Sequence, residues 1–391
     1  MQETWRWFGP KDPISLKKIA QAGATGIVTS LHEVAVGECW QVADIQARKD
    51  LIEEAGLNWA VVESLPLHND IKLRKGNFEV LLETYCQSLI NLGQCGVKTV
   101  CYNFMPVVDW TRTNLDYRLN NDARALRFEM SDFVAYDVYI LKRKNAEESY
   151  TDLQLDNAAK RFVVMTDEEK SLLEKNIIAG LPGGEGSYNR EDIRAAIEEF
   201  IALGESQYRE NLFQFLRDVV PTAEQAGIEL CIHPDDPPFS LFGLPRVVST
   251  EDDAAALLAA APSKSNGLTM CAGSYGARGD NDLVRMIRRF SNRIYFVHLR
   301  NVKREEDGSF YESDHLDGDN DMIGIMSALL DEERRRAKEG GAVIPMRPDH
   351  GHLLADELDQ PGTNPGYSYA GRMKSLAELR GALHVLEAVR K

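Results

Sequence analysis

Four apolar segments in the second half of the chain each end in a cluster of polar residues: ELCIHPDDPP (229–238), GLTMCAGS (267–274), IYFVHLRN (294–301) and AVIPMRPDHGH (342–352). The apolar part of each segment is short and bounded by turn-forming residues, which is typical of a buried strand. Helix-like sequence separates each segment from the next. Strands that alternate with helices in this way indicate a parallel sheet in an α/β fold.

The same alternation extends through the first half of the chain. The predicted strands are Thr4–Phe8, Gly26–Leu31, Trp59–Glu63, Thr99–Met105, Glu229–His233, Gly267–Cys271, Ile294–Arg300 and Ala342–Arg347. The predicted helices between them are Leu16–Ala22, Val42–Ala55, Phe78–Leu92, Asp252–Ala260, Asp280–Phe290, Asp321–Lys338 and Lys374–Val389. Eight strands with helical connections predict a (β/α)8 TIM barrel. An open, doubly wound sheet is the alternative, but no G-x-G-x-x-G motif follows the first strand, so we favour the barrel.

One long stretch, residues 110–207, interrupts the alternation of strands and helices between the fourth and fifth predicted strands. It contains a possible short strand, a glycine-rich loop and two helices: Tyr136–Leu141, Leu181–Ser187, Asp167–Ile177 and Arg190–Ala202. We therefore predict a single TIM-barrel domain over residues 1–391 with a large, mostly helical insertion at 110–207. A stretch this long is rarely a passive connection, so it is either a lid subdomain over the barrel mouth or an oligomerisation arm.

Composition narrows the class of protein. At about 150 residues per domain, 391 residues suggest two or three domains, although barrels run longer as one unit. A net charge of −16 argues against nucleic acid and anionic membranes as partners. No apolar run is long enough to span a bilayer, and the first residues lack the pattern of a signal peptide. Six cysteines in so long a chain predict reduced thiols rather than a disulfide framework, and hence a cytoplasmic enzyme.

Four of the predicted strands end in residues that bind metals: His233, Cys271, His298 and Asp349. Strand ends of a barrel converge on one site, so these side chains can close around a single ion. Two imidazoles, a thiolate and a carboxylate suit Fe(II), Mn(II), Co(II) or Zn(II) better than Mg(II) or Ca(II). A lone histidine or cysteine at a strand end more often serves packing, but four at equivalent places predict a divalent metal site.

Polar residues near these strand ends are candidates for substrate binding. Arg300 shares a strand face with one proposed ligand and is a candidate clamp for an anionic substrate, with Asn301 beside it. Asn103 and Arg112 belong to the segment at the end of the fourth strand, at the barrel mouth, where polar groups usually contact substrate. Asp235 lies on a proline-rich loop, and either binds substrate hydroxyls or serves the turn itself.

Two further residues are candidates for acid–base chemistry. His350 directly follows a proposed ligand, and its ordinary pKa lies near working pH, which suits a general base. Tyr367 lies in a loop rich in glycine, proline and asparagine, where a phenol can act as an acid or base or simply pack. Cys231, one strand layer below the first proposed ligand, is predicted to be a core thiol.

Several of these motifs are long and unusual, and together they resemble the mannonate dehydratase family over essentially the whole chain. They are RWFGP (6–10), QAGATGIVT (21–29), CYNFMPVVDW (101–110), CIHPDDPP (231–238), HLRN (298–301), RPDHGH (347–352) and NPGY (364–367). The resemblance implies a xylose-isomerase-like barrel that dehydrates D-mannonate to 2-dehydro-3-deoxy-D-gluconate in hexuronate breakdown. It also implies Mn(II) or Fe(II) on the same four ligands, with His350 and Tyr367 in proton transfer. Ala272 and Tyr311 depart from the family pattern.

This resemblance leads to a hypothesis for the chemistry. One of His350 and Tyr367 removes the C2 proton and the other protonates the leaving C3 hydroxyl, in an order that the sequence leaves open. A metal-dependent aldose–ketose isomerase and a non-catalytic sugar-acid or metal sensor are the alternatives. We expect a homo-oligomer, a dimer or tetramer, with the sugar acid as its small-molecule partner.

Overall fold

A computed structural model describes residues 1–179, 189–358 and 362–390, so the predicted loop Leu181–Ser187 lies outside the described residues. Eight parallel strands form a closed barrel in the order β1-β12-β9-β8-β7-β4-β3-β2. These strands are β1 (Gln2–Arg6), β2 (Gly26–Thr29), β3 (Asn58–Glu63), β4 (Thr99–Tyr102), β7 (Glu229–Ile232), β8 (Asn266–Cys271), β9 (Ile294–His298) and β12 (Pro345–Arg347). The predicted TIM barrel is confirmed, and the eight predicted strands are the eight barrel strands.

Helices alternate with the barrel strands, and several lie in the long segment between β4 and β7. They are α1 (Leu16–Gln21), α2 (Val42–Glu54), α3 (Asn69–Leu73), α4 (Phe78–Gln94), α5 (Met130–Ala135), α6 (Asp152–Val164), α7 (Asp167–Ala179), α8 (Arg190–Leu203), α9 (Glu205–Ala226), α10 (Glu251–Ala260), α11 (Ala272–Tyr275), α12 (Leu283–Phe290), α13 (Met322–Glu339) and α14 (Tyr369–Ala388). The long α9 presents Leu212, Phe215 and Val219 to the core and ends at Gly227, which adopts the left-handed conformation that favours glycine. In the described ranges, no helix has the length and apolar character needed to cross a membrane.

The barrel interior holds a small apolar cluster of its own. It consists of Val28, Val61, Cys101, Cys231, Tyr295 and Phe296, all buried. Cys231 pairs in register with Cys101 on the neighbouring strand. The prediction that Cys231 is a core thiol is confirmed, because its side chain is fully buried in this cluster.

A second sheet, which the sequence analysis missed, lies outside the barrel. It is antiparallel, with the order β10-β11-β6-β5. Its strands are β5 (Asn114–Arg118), β6 (Arg124–Phe128), β10 (Val302–Arg304) and β11 (Phe310–Glu312). Two of them come from the segment after β4 and two from the connection after β9, so this sheet joins two excursions of the chain that are far apart in sequence. Phe310 opposes Phe128 in register, and their rings stack at 5.7 Å.

The predicted strand at Tyr136–Leu141 is wrong. These residues form a π-helical turn that continues directly from α5. Tyr136, Ile140 and Leu141 are buried, and their spacing of four and five residues places them on one face of a helix rather than on alternate faces of a strand. The turn is stabilised by Asp137, whose carboxylate accepts hydrogen bonds from Arg143 at 2.7 Å and from the Tyr150 hydroxyl at 2.6 Å.

Candidate metal centre and active site

Three of the predicted ligands meet at the carboxyl ends of neighbouring strands. One ligand atom each of His233, Cys271 and His298 lies within 4.8 Å of the others. Glu63 Oε1 lies 3.2 Å from His298 Nε2, and neither nitrogen of this buried ring makes a hydrogen bond with a described residue. The Pro234 carbonyl lies 2.7 Å from His233 Nδ1 and leaves Nε2 of that ring available. Because the outer partners orient the rings in this way, the triad fits a borderline divalent metal.

Asp349 lies beside this triad. Its Oδ2 is 3.9 Å from Cys271 Sγ and 3.7 Å from His298 Nδ1. Arg347 and Arg300 contact the two oxygens of this carboxylate at 2.6 and 3.0 Å. Burial by itself raises the pKa of Asp349. The charge of Arg347, followed by interactions with His350, His298 and Arg300, outweighs burial and holds this pKa well below its usual range. The backbone of Asp349 has φ +73°, a left-handed conformation that persists only where surrounding contacts enforce it, as at functional sites.

A buried network of charged side chains lies beside the site. Asp236 accepts hydrogen bonds from Arg112 at 2.8 Å, from Arg300 at 2.7 Å and from Ser274 at 3.0 Å. Burial alone raises the pKa of Asp236, but Arg112 and Arg300 outweigh it and lower that pKa. Gly273 is required here, since a Cβ at this position would lie 1.9 Å from Arg300 Nε. Ser274 Oγ also lies 3.1 Å from Cys271 Sγ, which links the network to the thiol.

His350 and Tyr367 are adjacent in the same cavity. His350 Nε2 lies 3.2 Å from the Tyr367 hydroxyl, and both side chains are buried. Glu312 Oε1 lies 2.8 Å from Nδ1 of the same imidazole and 3.2 Å from Arg112. Burial raises the pKa of Tyr367 to about 12, with the charge of Arg347 opposing the rise. The arrangement is therefore a carboxylate, an imidazole and a protonated phenol in one chain of hydrogen bonds.

Several of these groups line one cavity of about 250 Å³ at the barrel mouth. They are His233, Asp236, Arg300, Asp349, His350 and Tyr367, together with Asn103 at the end of β4. Through His233 the candidate metal cluster reaches the same cavity as a candidate acid–base pair, which is the arrangement expected of a metal-assisted lyase or isomerase site.

The comparisons with known proteins assign the family. A sequence profile of the D-mannonate dehydratase (UxuA) family matches residues 1–391. The mannonate dehydratase of Saccharophagus degradans is 67% identical over 393 residues, which cover 100% of this chain and 99% of that protein. The chain belongs to the mannonate dehydratase family. Mannonate dehydratase 2 of Agrobacterium fabrum is 55% identical over 99% of this chain and 98% of its own length.

Solved structures agree with the family assignment. The crystal structure of mannonate dehydratase from Streptococcus suis serotype 2 matches with a TM-score of 0.80 at 32% identity, over 100% of this chain and 96% of that one. A xylose isomerase domain protein from Planctomyces limnophilus matches with a TM-score of 0.50 at 9% identity, over 98% of this chain and 95% of that one, and shows the fold alone. The predicted family, its hydro-lyase class and the xylose-isomerase-like barrel are confirmed.

Three residues predicted to bind substrate do not line the cavity. Arg112 is fully buried behind it and is paired with Asp236 and Glu312. Asp235 points to the loop after it, where Ser249 donates to its carboxylate at 2.7 Å. Asn301 uses both ends of its amide to hold the chain between residues 315 and 320, through the carbonyls of His315 and Asn320 and the backbone amides of Val302 and Asn320. Their polar groups are occupied within the protein, so the predicted substrate contacts find no support in the geometry.

Other residues of the site were not among the predicted ones. Lys72 lines the cavity from the short helix α3, and Glu312 of the second sheet contacts the cavity residue His350 at 2.8 Å; neither element was predicted from the sequence. His32 lines the cavity from the β2 end; burial, aided by Arg6 and Arg48, lowers its pKa to about 3, so this imidazole is neutral. Glu63 also lines the cavity and pairs with Arg347 at 3.0 Å. A glutamate that ends a strand and follows an aromatic residue was the one available signal for Glu312.

Proposed function

We propose that this protein dehydrates D-mannonate to 2-dehydro-3-deoxy-D-gluconate and water in hexuronate catabolism. The observation that carries the proposal is that His233, a member of the His233–Cys271–His298 cluster, lines the same cavity as the His350–Tyr367 pair. Membership of the family over the full chain length supports the same reaction. Loss of water from an acid requires a base for the C2 proton and an acid for the C3 hydroxyl, and the cavity offers one candidate for each.

The proposed metal is Mn(II) or Fe(II), held by His233, Cys271, His298 and Asp349. In support, the donor set combines imidazole, thiolate and carboxylate, and Asp349 lies within 4 Å of two of the other three side chains. When bound, such an ion supplies Lewis-acid stabilisation of the negative charge that develops on the substrate carboxylate. Glu63 contributes by orienting the His298 ring, since its Oε1 lies 3.2 Å from Nε2 of that ring.

We assign the base to His350 and the acid to Tyr367. With Glu312 at Nδ1, the neutral imidazole keeps its proton on that nitrogen and presents an unprotonated Nε2 to the cavity. The Tyr367 phenol retains its proton at neutral pH because burial raises its pKa to about 12. His350 then takes the C2 proton, Tyr367 gives a proton to the departing C3 hydroxyl, and the enol that forms tautomerises to the keto acid.

Glu312 acts through His350 as a positioning residue. Its carboxylate is buried and fixed by Arg112 on one side and His350 on the other. Burial alone raises the pKa of Glu312, but the interaction with His350 and the charges of Arg300 and Arg112 lower it, so the group is an anion at neutral pH. A fixed anion at Nδ1 holds the ring orientation and favours the tautomer that the base requires.

The predicted insertion is proposed to cover the cavity as a lid subdomain. Trp110, where the segment begins, and Ile178, on α7, both line the cavity. The Trp110 and His350 rings lie edge to face, with their centroids 6.0 Å apart. Asn176 ties α7 to the start of the segment through the Thr113 carbonyl at 3.0 Å. Exclusion of water by such a cover strengthens the electrostatic contacts inside.

We also propose a homo-oligomer of two or four copies that works in the cytoplasm. All six cysteines are free thiols, which agrees with a reducing compartment. Light scattering after size-exclusion chromatography tests the assembly: a mass of two or four chains is expected, and the mass of one chain contradicts it.

The decisive experiment is a product assay. The protein is incubated with Mn(II) or Fe(II) and separately with D-mannonate, D-altronate and D-gluconate, and 2-keto-3-deoxy acid is measured over time. We expect product from mannonate, with the other two acids as slower substrates or none. Isomerised sugar in place of a keto-deoxy acid would support an isomerase, and binding of mannonate without any product would support a sensor.

A further inference from the structure

Among the described residues, four cationic side chains line the cavity, and three of them already pair with carboxylates. Arg6 pairs with Glu63 at 3.0 Å. Arg347 pairs with Glu63 and Asp349, and Arg300 pairs with Asp236 and Asp349. Arg300 was predicted to bind an anionic substrate, but its charge is already balanced by two carboxylates of the protein.

Lys72 is different. Its side chain lines the cavity and is 5% exposed. Nζ donates one hydrogen bond, to the Met105 carbonyl at 3.0 Å, and forms no ion pair within the described part of the chain. An ammonium group has three donors, and burying its charge beside a single neutral acceptor is unfavourable unless an anion completes the site.

The position of Lys72 is held firmly by its backbone. Helix α3 is capped by His68, whose ring accepts a hydrogen bond from the Asp70 amide at 3.1 Å. Asn211 on α9 donates to the Lys72 carbonyl at 3.0 Å. The two cations that follow on the chain both have carboxylate partners outside the cavity, Asp218 for Arg74 and Glu199 for Lys75. Lys72 alone of these three points into the cavity without such a partner in the described ranges.

We propose that Lys72 binds the carboxylate of the acid substrate and so sets the preference of this site for sugar acids over neutral sugars. The inference rests on the proposed function, because that function makes the ligand an anion. The positive and negative charges around Asp236 and Asp349 balance one another. Lys72 has no carboxylate partner among the described residues, so a ligand carboxylate can pair with it. An acidic protein of net charge −16 needs such a local cation to hold an anionic substrate.

The test compares an acid with its neutral amide. KM for D-mannonate and the inhibition constant of D-mannonamide, which keeps every hydroxyl, are measured for wild type, Lys72→Met, Lys72→Arg and the exposed control Lys75→Met. We expect Lys72→Met to raise KM about 10- to 100-fold and to change the inhibition constant less than about threefold. Lys72→Arg should recover most of the loss, and Lys75→Met should match wild type.

Two results overturn the proposal. One is an unchanged KM in Lys72→Met; the other is a proportional loss for acid and amide, which marks a hydroxyl contact rather than a charge contact. Thermal unfolding of each variant separates misfolding from loss of binding, and Lys72→Arg reports on charge if Lys72→Met is unstable. If wild type turns over no mannonate, the proposed function fails, and calorimetric dissociation constants for mannonate and mannonamide still decide the role of Lys72.

Discussion

The two halves of the barrel mouth differ in how their chemistry is encoded. The ligand half consists of the ends of β7, β8, β9 and β12, with His233, Cys271, His298 and Asp349. The loop half consists of the ends of β2, β3 and β4 with helix α3, and holds His32, Glu63, Lys72 and Asn103. In the ligand half each functional residue stands in a short motif at a strand end. In the loop half the role of a charged residue depends on whether a residue of opposite charge already pairs with it.

The largest effect is expected from breaking the ligand half at its thiol. Cys271→Ala should lose the bound metal and lower kcat on the order of 10³-fold or more, because several kcal/mol of charge stabilisation disappear. Metal content is measured by elemental analysis alongside the product assay. Cys231→Ala is the matched control, since that buried thiol packs in the barrel core and should leave metal content unchanged. Equal metal loss in both variants would contradict the distinction between ligand and core cysteine.

Replacing the proposed base should separate chemistry from metal binding. His350→Asn is expected to lower kcat about 10²- to 10⁴-fold, the range of a general base, with metal content near that of wild type. His298→Ala serves as the contrast, since it should lose both metal and turnover. Wild-type kcat in His350→Asn would remove this residue from the mechanism.

The second sheet reaches the ligand half through Glu312. Glu312→Gln should lower kcat about 10- to 100-fold, because the neutral amide no longer enforces the His350 tautomer, while KM stays near wild type. Glu305→Gln, which alters a half-exposed ion pair of Arg127 beside the same sheet, is the control and should leave both constants unchanged. A change confined to KM would indicate that Glu312 contacts substrate instead.

The smallest effect on activity is expected at Asn301. Its amide makes four hydrogen bonds, two as donor and two as acceptor, to the chain around residues 302–320, and two of them are fully buried. Asn301→Ala should lower the free energy of unfolding by about 1–3 kcal/mol, since buried backbone groups lose their partners. Urea denaturation measures this loss, and KM should be unchanged. A raised KM with unaltered stability would restore the substrate contact that the sequence suggested.

The ligand half was largely predictable because a parallel barrel brings strand ends together whatever the loops do. His233, Cys271 and His298 meet as expected, and His350 lies beside Tyr367. The predicted substrate contacts of Arg112, Asp235 and Asn301 lack support in the geometry for one physical reason. These residues lie near strand ends, but their polar groups contact other parts of the protein, such as Asp236 for Arg112 at 2.8 Å.

The sequence by itself determined the barrel, the family and the donor set, because strand periodicity and motif spacing are local properties of the chain. The tertiary structure decided which charges remain available. Arg300 is neutralised by Asp236 and Asp349, Lys72 is left with a single backbone carbonyl, and Glu312 reaches His350 only because two distant excursions pair as one sheet. The physical reason is that the net charge around a buried group depends on all of its neighbours in space. Burial also removes the water that would otherwise screen each group from the others.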